Sequence, residues 1–177
     1  PDRINEGYGP NINALNDLKK KGCELILTLD CGITAELSIN KVSKEGIDII
    51  ILDHHKEADS LPNAFAIINP KKKKDTSGLD NLCATGVVFF FIIAINRELK
   101  KLKFFKTPPP NLLKYLDLVA LATICDLVKL DSLNRAFVKQ GIKIINKSIN
   151  TGINCLIENS SINQSINEYH LGFILGP

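Results

Sequence analysis

Two apolar runs near the start of the chain each stop at chemically reactive side chains. Residues 25–29 are followed by Asp30, and residues 47–52 are followed by Asp53. Between these runs, residues 33–46 carry apolar side chains at roughly helical spacing. The pattern predicts a strand, a helix and a second strand, which together form a βαβ unit.

The predicted helix has its own start and stop signals. Thr34 can cap the first turn with its hydroxyl oxygen, and Gly46 can adopt the left-handed conformation in which helices commonly end. A βαβ unit is right-handed, and its two parallel strands end at the same edge of the sheet. Open α/β sheets bind their ligands at that edge.

The side chains expected at this edge are Asp30, Asp53, His54 and His55. Carboxylates and imidazoles together suit Mn²⁺, Zn²⁺ or Fe²⁺, whereas an oxygen-only set suits Mg²⁺ or Ca²⁺. Neighbouring residues of an extended chain point to opposite sides, so one imidazole can bind metal while the other faces a substrate. The alternative is that these groups are solvated or cap a helix. Because such residues follow two neighbouring strands and not one, a metal site is the favoured interpretation.

The rest of the chain predicts more helices than strands. Residues 11–21 fit an amphipathic helix, and residues 64–68 fit a third short strand. Residues 82–95 are apolar all round, which predicts a helix buried at the centre of the core. Further helical segments are expected at residues 112–124, 136–149 and 152–159, with a turn at residues 131–135 and a final segment, 168–176, that returns to the core. The fold class is therefore α/β, with a parallel sheet flanked by helices and followed by a helical segment.

Asp126 directly follows the apolar helix predicted at residues 112–124. An acid held against an apolar helix end must be paired, hydrogen-bonded or metal-bound to avoid a large desolvation cost. We expect Asp126 to bind metal. The alternative is a carboxylate that caps the next segment.

Composition narrows the protein class without deciding the function. The 177 residues fit one domain, and a net charge of +3 is too small to indicate a nucleic-acid partner by itself. The lysines at 71–74 form either a local basic surface or a solvated turn. Five cysteines without a C-x-x-C pair argue against a disulfide framework and favour the cytoplasm. The longest apolar run, residues 87–95, is shorter than the roughly 20 residues that span a membrane.

Asp53-His54-His55 at the end of a strand, with residues 29–32 one βα unit upstream, resembles the DHH phosphoesterase superfamily. Other segments resemble the members of that family that digest single-stranded DNA in the 5′→3′ direction. These segments are residues 1–9, 67–70, 116–130, 134–135 and 171–177. Together they extend over nearly the whole chain in the family's order.

The resemblance implies metal-dependent hydrolysis of phosphodiester bonds with two divalent ions, Mn²⁺ or Mg²⁺. Asp30 corresponds to a ligand that bridges the ions, and His54 and Asp126 correspond to ligands of one ion. His55 is expected to contact the scissile phosphate. Asp53 is expected to orient an imidazole rather than to bind metal.

The resemblance also suggests residues that bind substrate. Arg3 is expected to grip a phosphate, because a guanidinium donates to two phosphate oxygens at once; the alternative is an ordinary surface charge. Tyr8 lies in the same Gly-rich opening segment. Gly86 would leave room for the substrate backbone, although helix packing also explains it, and Arg135 would support the site or contact phosphate.

We expect a partial DHH domain over residues 1–177, with a metal-site core at 1–80 and a mainly helical part at 81–177. The chain contains no methionine and starts inside a motif, so we expect an incomplete and nearly inactive fragment without the family's first Asp-x-Asp motif and C-terminal domains. The implied partner is single-stranded DNA, in DNA repair and recombination. A helicase or a single-strand-binding protein is a candidate partner of a monomeric enzyme, and no membrane partner is expected.

Two other functions fit the same resemblance. A related phosphoesterase could act on short oligonucleotides, cyclic dinucleotides or pyrophosphate. The fold also serves as a non-catalytic scaffold in a replicative helicase assembly, where the ligand positions have decayed. The presence of Asp30, His54, His55 and Asp126 argues against the scaffold.

Overall fold

The computed structural model describes Asp2 and residues 4–177. The chain forms two compact units, Pro1–Asp80 and Asn81–Pro177. The first unit contains α1 (Ile12–Lys20), β1 (Leu25–Leu29), α2 (Glu36–Lys44), β2 (Asp48–Leu52) and β3 (Ala66–Ile68). The second contains α3 (Ala84–Lys101), α4 (Leu116–Cys125), α5 (Ser132–Ile145), α6 (Thr151–Asn159) and α7 (Glu168–His170). A 3₁₀ turn (Leu112–Tyr115) precedes α4, and a π-helical segment (Leu171–Leu175) follows α7.

The sheet in the first unit is parallel, as predicted. Within the described part of the chain it has three strands in the order β1-β2-β3. Leu27 of β1 lies opposite Ile50 of β2, which in turn lies opposite Ala66 of β3. Because β1, α2 and β2 form the expected crossover, the carboxyl ends of the strands meet at one edge.

One face of this sheet forms the core of the first unit. Ile26, Ile49 and Ile51 are buried on that face. They pack in one cluster with Ile39 and Val42 of α2, both of which have no exposed surface. Full burial of a side chain of this size stabilises the fold by about 1.5–3 kcal/mol. The helical spacing of the apolar residues in α2 therefore fixes that helix to the sheet.

The segment between β1 and α2 corrects one sequence prediction. Ala35, and not Thr34, is the N-cap of α2, and it makes no side-chain capping bond. The chain first turns at Gly32, whose φ is +113° and whose carbonyl accepts from the N–H of Ala35 at 3.0 Å. Residues 32–35 form this turn, so the helix begins only after them. The predicted end is correct, since Gly46 follows the C-cap with φ +87°.

In the second unit, α5 begins earlier than predicted. Residues 132–135 form its first turn rather than a separate loop, because the side chain of Asp131 accepts from the N–H of Asn134 and caps the helix. Gly141 of α5 allows close contact with α4: a Cβ atom there would lie 2.1 Å from the carbonyl oxygen of Leu116. The α4–α5 pair is thus packed backbone to backbone.

The apolar helix α3 is not buried all round, contrary to the sequence prediction. Val87 and Phe89 are buried, and the ring of Phe89 lies 5.9 Å from that of Phe137 in α5. Phe90 and Ile93 on the same helix are 36% and 38% exposed. The neighbouring helices of its unit pack against one face of α3, and composition alone could not reveal this. No helix in the described residues is long and apolar enough to span a membrane.

Candidate metal centre

The candidate site lies where β1 and β2 end. The backbone N–H of Asp30 donates to the carbonyl of Leu52 at 3.0 Å, and the N–H of Asp53 donates to the carbonyl of Ile68 at 3.1 Å. These bonds continue the strand pairing past the last regular residue of each strand. The side chains that follow the strands therefore start from backbone positions fixed by the sheet.

Asp30, His54 and His55 form a cluster at this edge. One ligand atom from each residue lies within 4.8 Å of the others. The Nε2 atom of His54 is 3.3 Å from Oδ1 of Asp30, and Nδ1 of His55 is 4.0 Å from the same oxygen. The side chain of His54 is 6% exposed, whereas those of Asp30 and His55 are 61% and 47% exposed. A buried imidazole thus faces an accessible carboxylate.

This cluster fits a divalent metal ion. Two donor atoms that each bind one ion at about 2.1 Å lie about 3.0–3.4 Å apart. The 3.3 Å between His54 Nε2 and Asp30 Oδ1 falls in that range. The carboxylate and imidazole donors also suit Mn²⁺, Zn²⁺ and Fe²⁺ better than Ca²⁺.

Asp53 is completely buried and binds the backbone around the cluster. Its Oδ2 atom accepts from the N–H of Ile33 at 3.0 Å. Its Oδ1 atom accepts from the N–H groups of His54 and His55 at 2.7 and 3.1 Å, and lies 2.7 Å from Nδ1 of His55. Burial by itself raises the pKa of Asp53, but these hydrogen bonds, first that from Ile33, outweigh it and lower the pKa below its ordinary value.

The charge of Asp53 fixes the imidazole of His55. An ionised carboxylate can only accept hydrogen bonds, so the Nδ1 atom of His55 that faces it must carry the proton. The lone pair then resides on Nε2, which can meet a ligand or a substrate. Asp53 therefore lies against the imidazole of His55, and its expected role in orienting that imidazole stays a prediction.

Asn69 is a buried residue of this site that the sequence reasoning did not select. Its side-chain NH₂ donates to the carbonyl of His55 at 2.8 Å, and its side-chain oxygen accepts from the N–H of Lys71 at 2.7 Å. Asn69 therefore ties the end of β3 to the end of β2. The signals were the resemblance of residues 67–70 to a family segment and an Asn-Pro pair directly after a short strand, which also marks an ordinary turn.

Of the other predicted site residues, Tyr8 contacts this cluster, because its hydroxyl donates to the carbonyl of Asp30 at 2.5 Å. Arg3 lies outside the described residues. Asp126 is the C-cap of α4 and is exposed, so the desolvation argument for a bound metal there was wrong. Gly86 faces the side chain of Leu82, and Arg135 is exposed on α5. Asp126, Gly86 and Arg135 belong to the second unit, and their roles stay predictions.

Comparison with known proteins identifies relatives over the whole chain. The model of the DHH family, N-terminal domain, matches residues 2–123. The single-stranded-DNA-specific exonuclease RecJ of Salmonella typhimurium is 37% identical over 100% of this chain and 32% of its own length. The RecJ exonuclease of Bacillus subtilis is 39% identical over 100% of this chain and 21% of its own length. The chain thus spans about a third or less of the length of these curated relatives.

Two solved structures share the fold. A crystal structure of exonuclease RecJ bound to manganese matches 99% of this chain and 42% of its own, with a TM-score of 0.81 and 29% identity. The structure of RecJ from Thermus thermophilus in complex with Mn²⁺ matches 94% of this chain and 24% of its own, with a TM-score of 0.76 and 27% identity. The similarity includes both described units.

Proposed function

This chain belongs to the DHH family, and on that premise we propose that the protein carrying it is a metal-dependent exonuclease acting on single-stranded DNA in the 5′→3′ direction. The cluster of Asp30, His54 and His55 is the observation that carries the proposal. The relatives named as single-stranded-DNA-specific exonucleases support the substrate. The manganese-bound structures support the type of cofactor.

We assign Asp30 and His54 as metal ligands from the resemblance and the geometry together, and Asp126 from the resemblance alone. The proposed cofactors are two divalent ions, Mn²⁺ or Mg²⁺, which Asp30 and His54 would help to hold. When bound, such ions neutralise charge on the phosphate and activate water for in-line attack. The buried position of His54 beside the accessible Asp30 gives an ion a fixed donor on one side and an open approach on the other.

His55 has a role different from that of His54 in this proposal. Its Nδ1–H is held by Asp53 at 2.7 Å, and Nε2, when it also carries a proton, would donate to an oxygen of the scissile phosphate. An imidazole held by a buried carboxylate keeps one tautomer and one orientation. Asp53 thereby acts on the reaction through His55 and does not touch the substrate.

The remaining assignments rest on the family resemblance. Arg3, Gly86 and Arg135 are proposed to contact the DNA strand, Arg3 through a phosphate. The same resemblance suggests a role in DNA repair and recombination, with a helicase or a single-strand-binding protein as partner. The free cysteines agree with the proposed cytoplasmic location.

The proposal is tested with the Asp30→Asn variant of the protein that carries this chain. Asparagine tolerates the left-handed backbone of Asp30, whose φ is +61°, so the substitution removes the charge and preserves the fold. We expect nucleotide release from a 5′-phosphorylated single strand with Mn²⁺ to fall by about 100-fold or more, because loss of a ligand exceeds the 10–100-fold effect of a residue that only orients one. Rates of release over time would measure this.

The matched control is Asp17→Asn, since Asp17 is an exposed aspartate of the same unit that pairs with Lys20. This control should digest DNA at the wild-type rate. Faster hydrolysis of dinucleotides or pyrophosphate than of a long single strand would reassign the protein to another branch of the family. Absence of both hydrolysis and Mn²⁺ binding would instead favour a scaffold.

A further inference from the structure

Tyr8 is bonded to the backbone of the candidate metal ligand Asp30. Its hydroxyl donates to the carbonyl oxygen of Asp30 at 2.5 Å. The two residues are 22 positions apart, so no local turn requires this bond. The ring of Tyr8 is 62% exposed and contributes little to the core. Its hydroxyl contact therefore needs another explanation than packing.

The conformation of Asp30 makes that contact important. Its φ is +61°, in the left-handed region that residues other than glycine adopt only uncommonly. The N–H of Asp30 is held by the carbonyl of Leu52 at 3.0 Å, and its carbonyl is held by Tyr8. With both peptide groups fixed, the carboxylate lies 3.3 Å from Nε2 of His54. Rotation of the carbonyl would change the direction of that carboxylate.

The same hydroxyl also lies beside the second imidazole of the cluster. The oxygen of Tyr8 is 3.5 Å from Nδ1 of His55, and the two rings meet edge to face with centroids 5.9 Å apart. Because Nδ1 carries a proton toward Asp53, the lone pairs of the tyrosine oxygen face a positively polarised group. One hydroxyl thus contacts two of the three clustered residues, Asp30 and His55.

We propose that Tyr8 is a positioning residue of the metal centre, which holds Asp30 in the left-handed conformation that directs its carboxylate toward His54. The inference rests on the proposed function, because that function assigns Asp30 and His54 as metal ligands. It differs from a role of Tyr8 in substrate contact, since it acts in the absence of DNA. The effect must therefore appear in metal binding itself.

The test is Tyr8→Phe, which removes one hydroxyl and retains the ring. We expect the affinity of the metal-free protein for Mn²⁺ to weaken by about 10-fold, the lower end of the effect of residues that orient ligands. Electron paramagnetic resonance of free Mn²⁺, titrated without DNA, measures this. The unfolding temperature without metal should fall by no more than a few degrees, because the variant loses one hydrogen bond and keeps a side chain that is mostly exposed.

Tyr169→Phe is the matched control, since Tyr169 is 60% exposed and lies in the second unit. It should bind Mn²⁺ like the wild type. Unchanged Mn²⁺ affinity in Tyr8→Phe would overturn the inference. A higher KM for DNA at saturating Mn²⁺ in the same variant would then assign Tyr8 to substrate binding. A wild-type protein that binds Mn²⁺ without digesting DNA would refute the proposed function, while the Tyr8→Phe titration would still decide the inference.

Discussion

Asp53 in the first unit and Asn134 in the second are both buried polar side chains, with 0% and 1% exposure. Each makes several hydrogen bonds within its unit. Those of Asp53 converge on the strand end that carries His54 and His55. Those of Asn134 end on the backbone carbonyls of Asn81 and Lys129, both at 2.8 Å. Equal burial therefore does not mean equal function, because what decides the role is the group at the other end of the bond.

The two side chains also differ in charge, and the difference matches the groups that they contact. An ionised Asp53 accepts bonds and so fixes the proton on the imidazole of His55. A neutral Asn134 donates from its amide to carbonyls in the loops that precede α3 and α5. In the proposed function, the first arrangement prepares His55 for contact with the substrate. The second joins two helix starts.

Among the variants that test the different roles of Asp53 and Asn134, Asp53→Asn should have the largest effect on Mn²⁺ affinity and on stability. The new amide NH₂ would face either the backbone N–H of Ile33 or the Nδ1–H of His55, and both are donors. We expect Mn²⁺ affinity to fall by 10–100-fold, as for other residues that orient metal ligands. Stability should fall by about 1.5–3 kcal/mol, the range for hydrogen bonds to a charged group. Mn²⁺ titration and urea unfolding measure the two effects.

Asp48→Asn is the control on the same strand, because Asp48 is exposed at the start of β2. It should change neither quantity by a measurable amount. If Asp53→Asn bound Mn²⁺ as tightly as the wild type, the proposed link from Asp53 through His55 to the metal would be wrong.

Asn134→Ala should reduce stability without changing metal binding. The carbonyls of Asn81 and Lys129 each lose one hydrogen bond, and the carbonyl of Lys129 retains the N–H of Asp131 at 3.0 Å. Each lost bond contributes about 0.5–1.5 kcal/mol. We expect the free energy of unfolding to fall by about 2 kcal/mol in urea, with Mn²⁺ affinity equal to that of the wild type. Asn163→Ala, at an exposed asparagine of the same unit, is the control. A parallel loss of Mn²⁺ affinity in Asn134→Ala would contradict the separation of roles.

The sequence predicted the sheet edge better than the contacts that complete it. The proximity of Asp30, His54 and His55 follows from the parallel strands of a βαβ unit, which end at the same edge of the sheet. Two apolar runs, each followed by these polar residues, are enough to predict it. The contact of Tyr8 with Asp30 joins a side chain to a distant carbonyl, and such a bond leaves no spacing pattern. Thr34 failed as a helix cap because Gly32 makes a turn before the helix begins.

In the helical unit, the sequence predicted the helices but not which of their faces are buried. Its helices follow from apolar spacing, yet the number of faces that are covered depends on neighbours that no single segment encodes. Phe90 and Ile93 are partly exposed on α3 although the segment is apolar throughout. The exposure of Asp126 likewise could not be read from its apolar surroundings in sequence. Its assignment as a ligand therefore still depends on the family resemblance.

Asp131→Ala should give the smallest effect and has a distinctive dependence on pH. The carboxylate of Asp131 accepts from the N–H of Asn134 at 3.0 Å, and this bond lowers the pKa of Asp131 below its ordinary value. A group with a lowered pKa stabilises the fold fully above its unfolded pKa of about 3.9, and that stabilisation is lost as the pH falls through the folded pKa. At pH 7 we expect a loss of about 1 kcal/mol, the usual value of a helix N-cap.

The difference in stability between Asp131→Ala and the wild type should shrink below about pH 4. The control variant Asp131→Asn retains a capping oxygen and should lose much less stability at pH 7. An equal loss for Asp131→Ala at pH 3 and pH 7 would show that packing, and not the ionised cap, accounts for its effect.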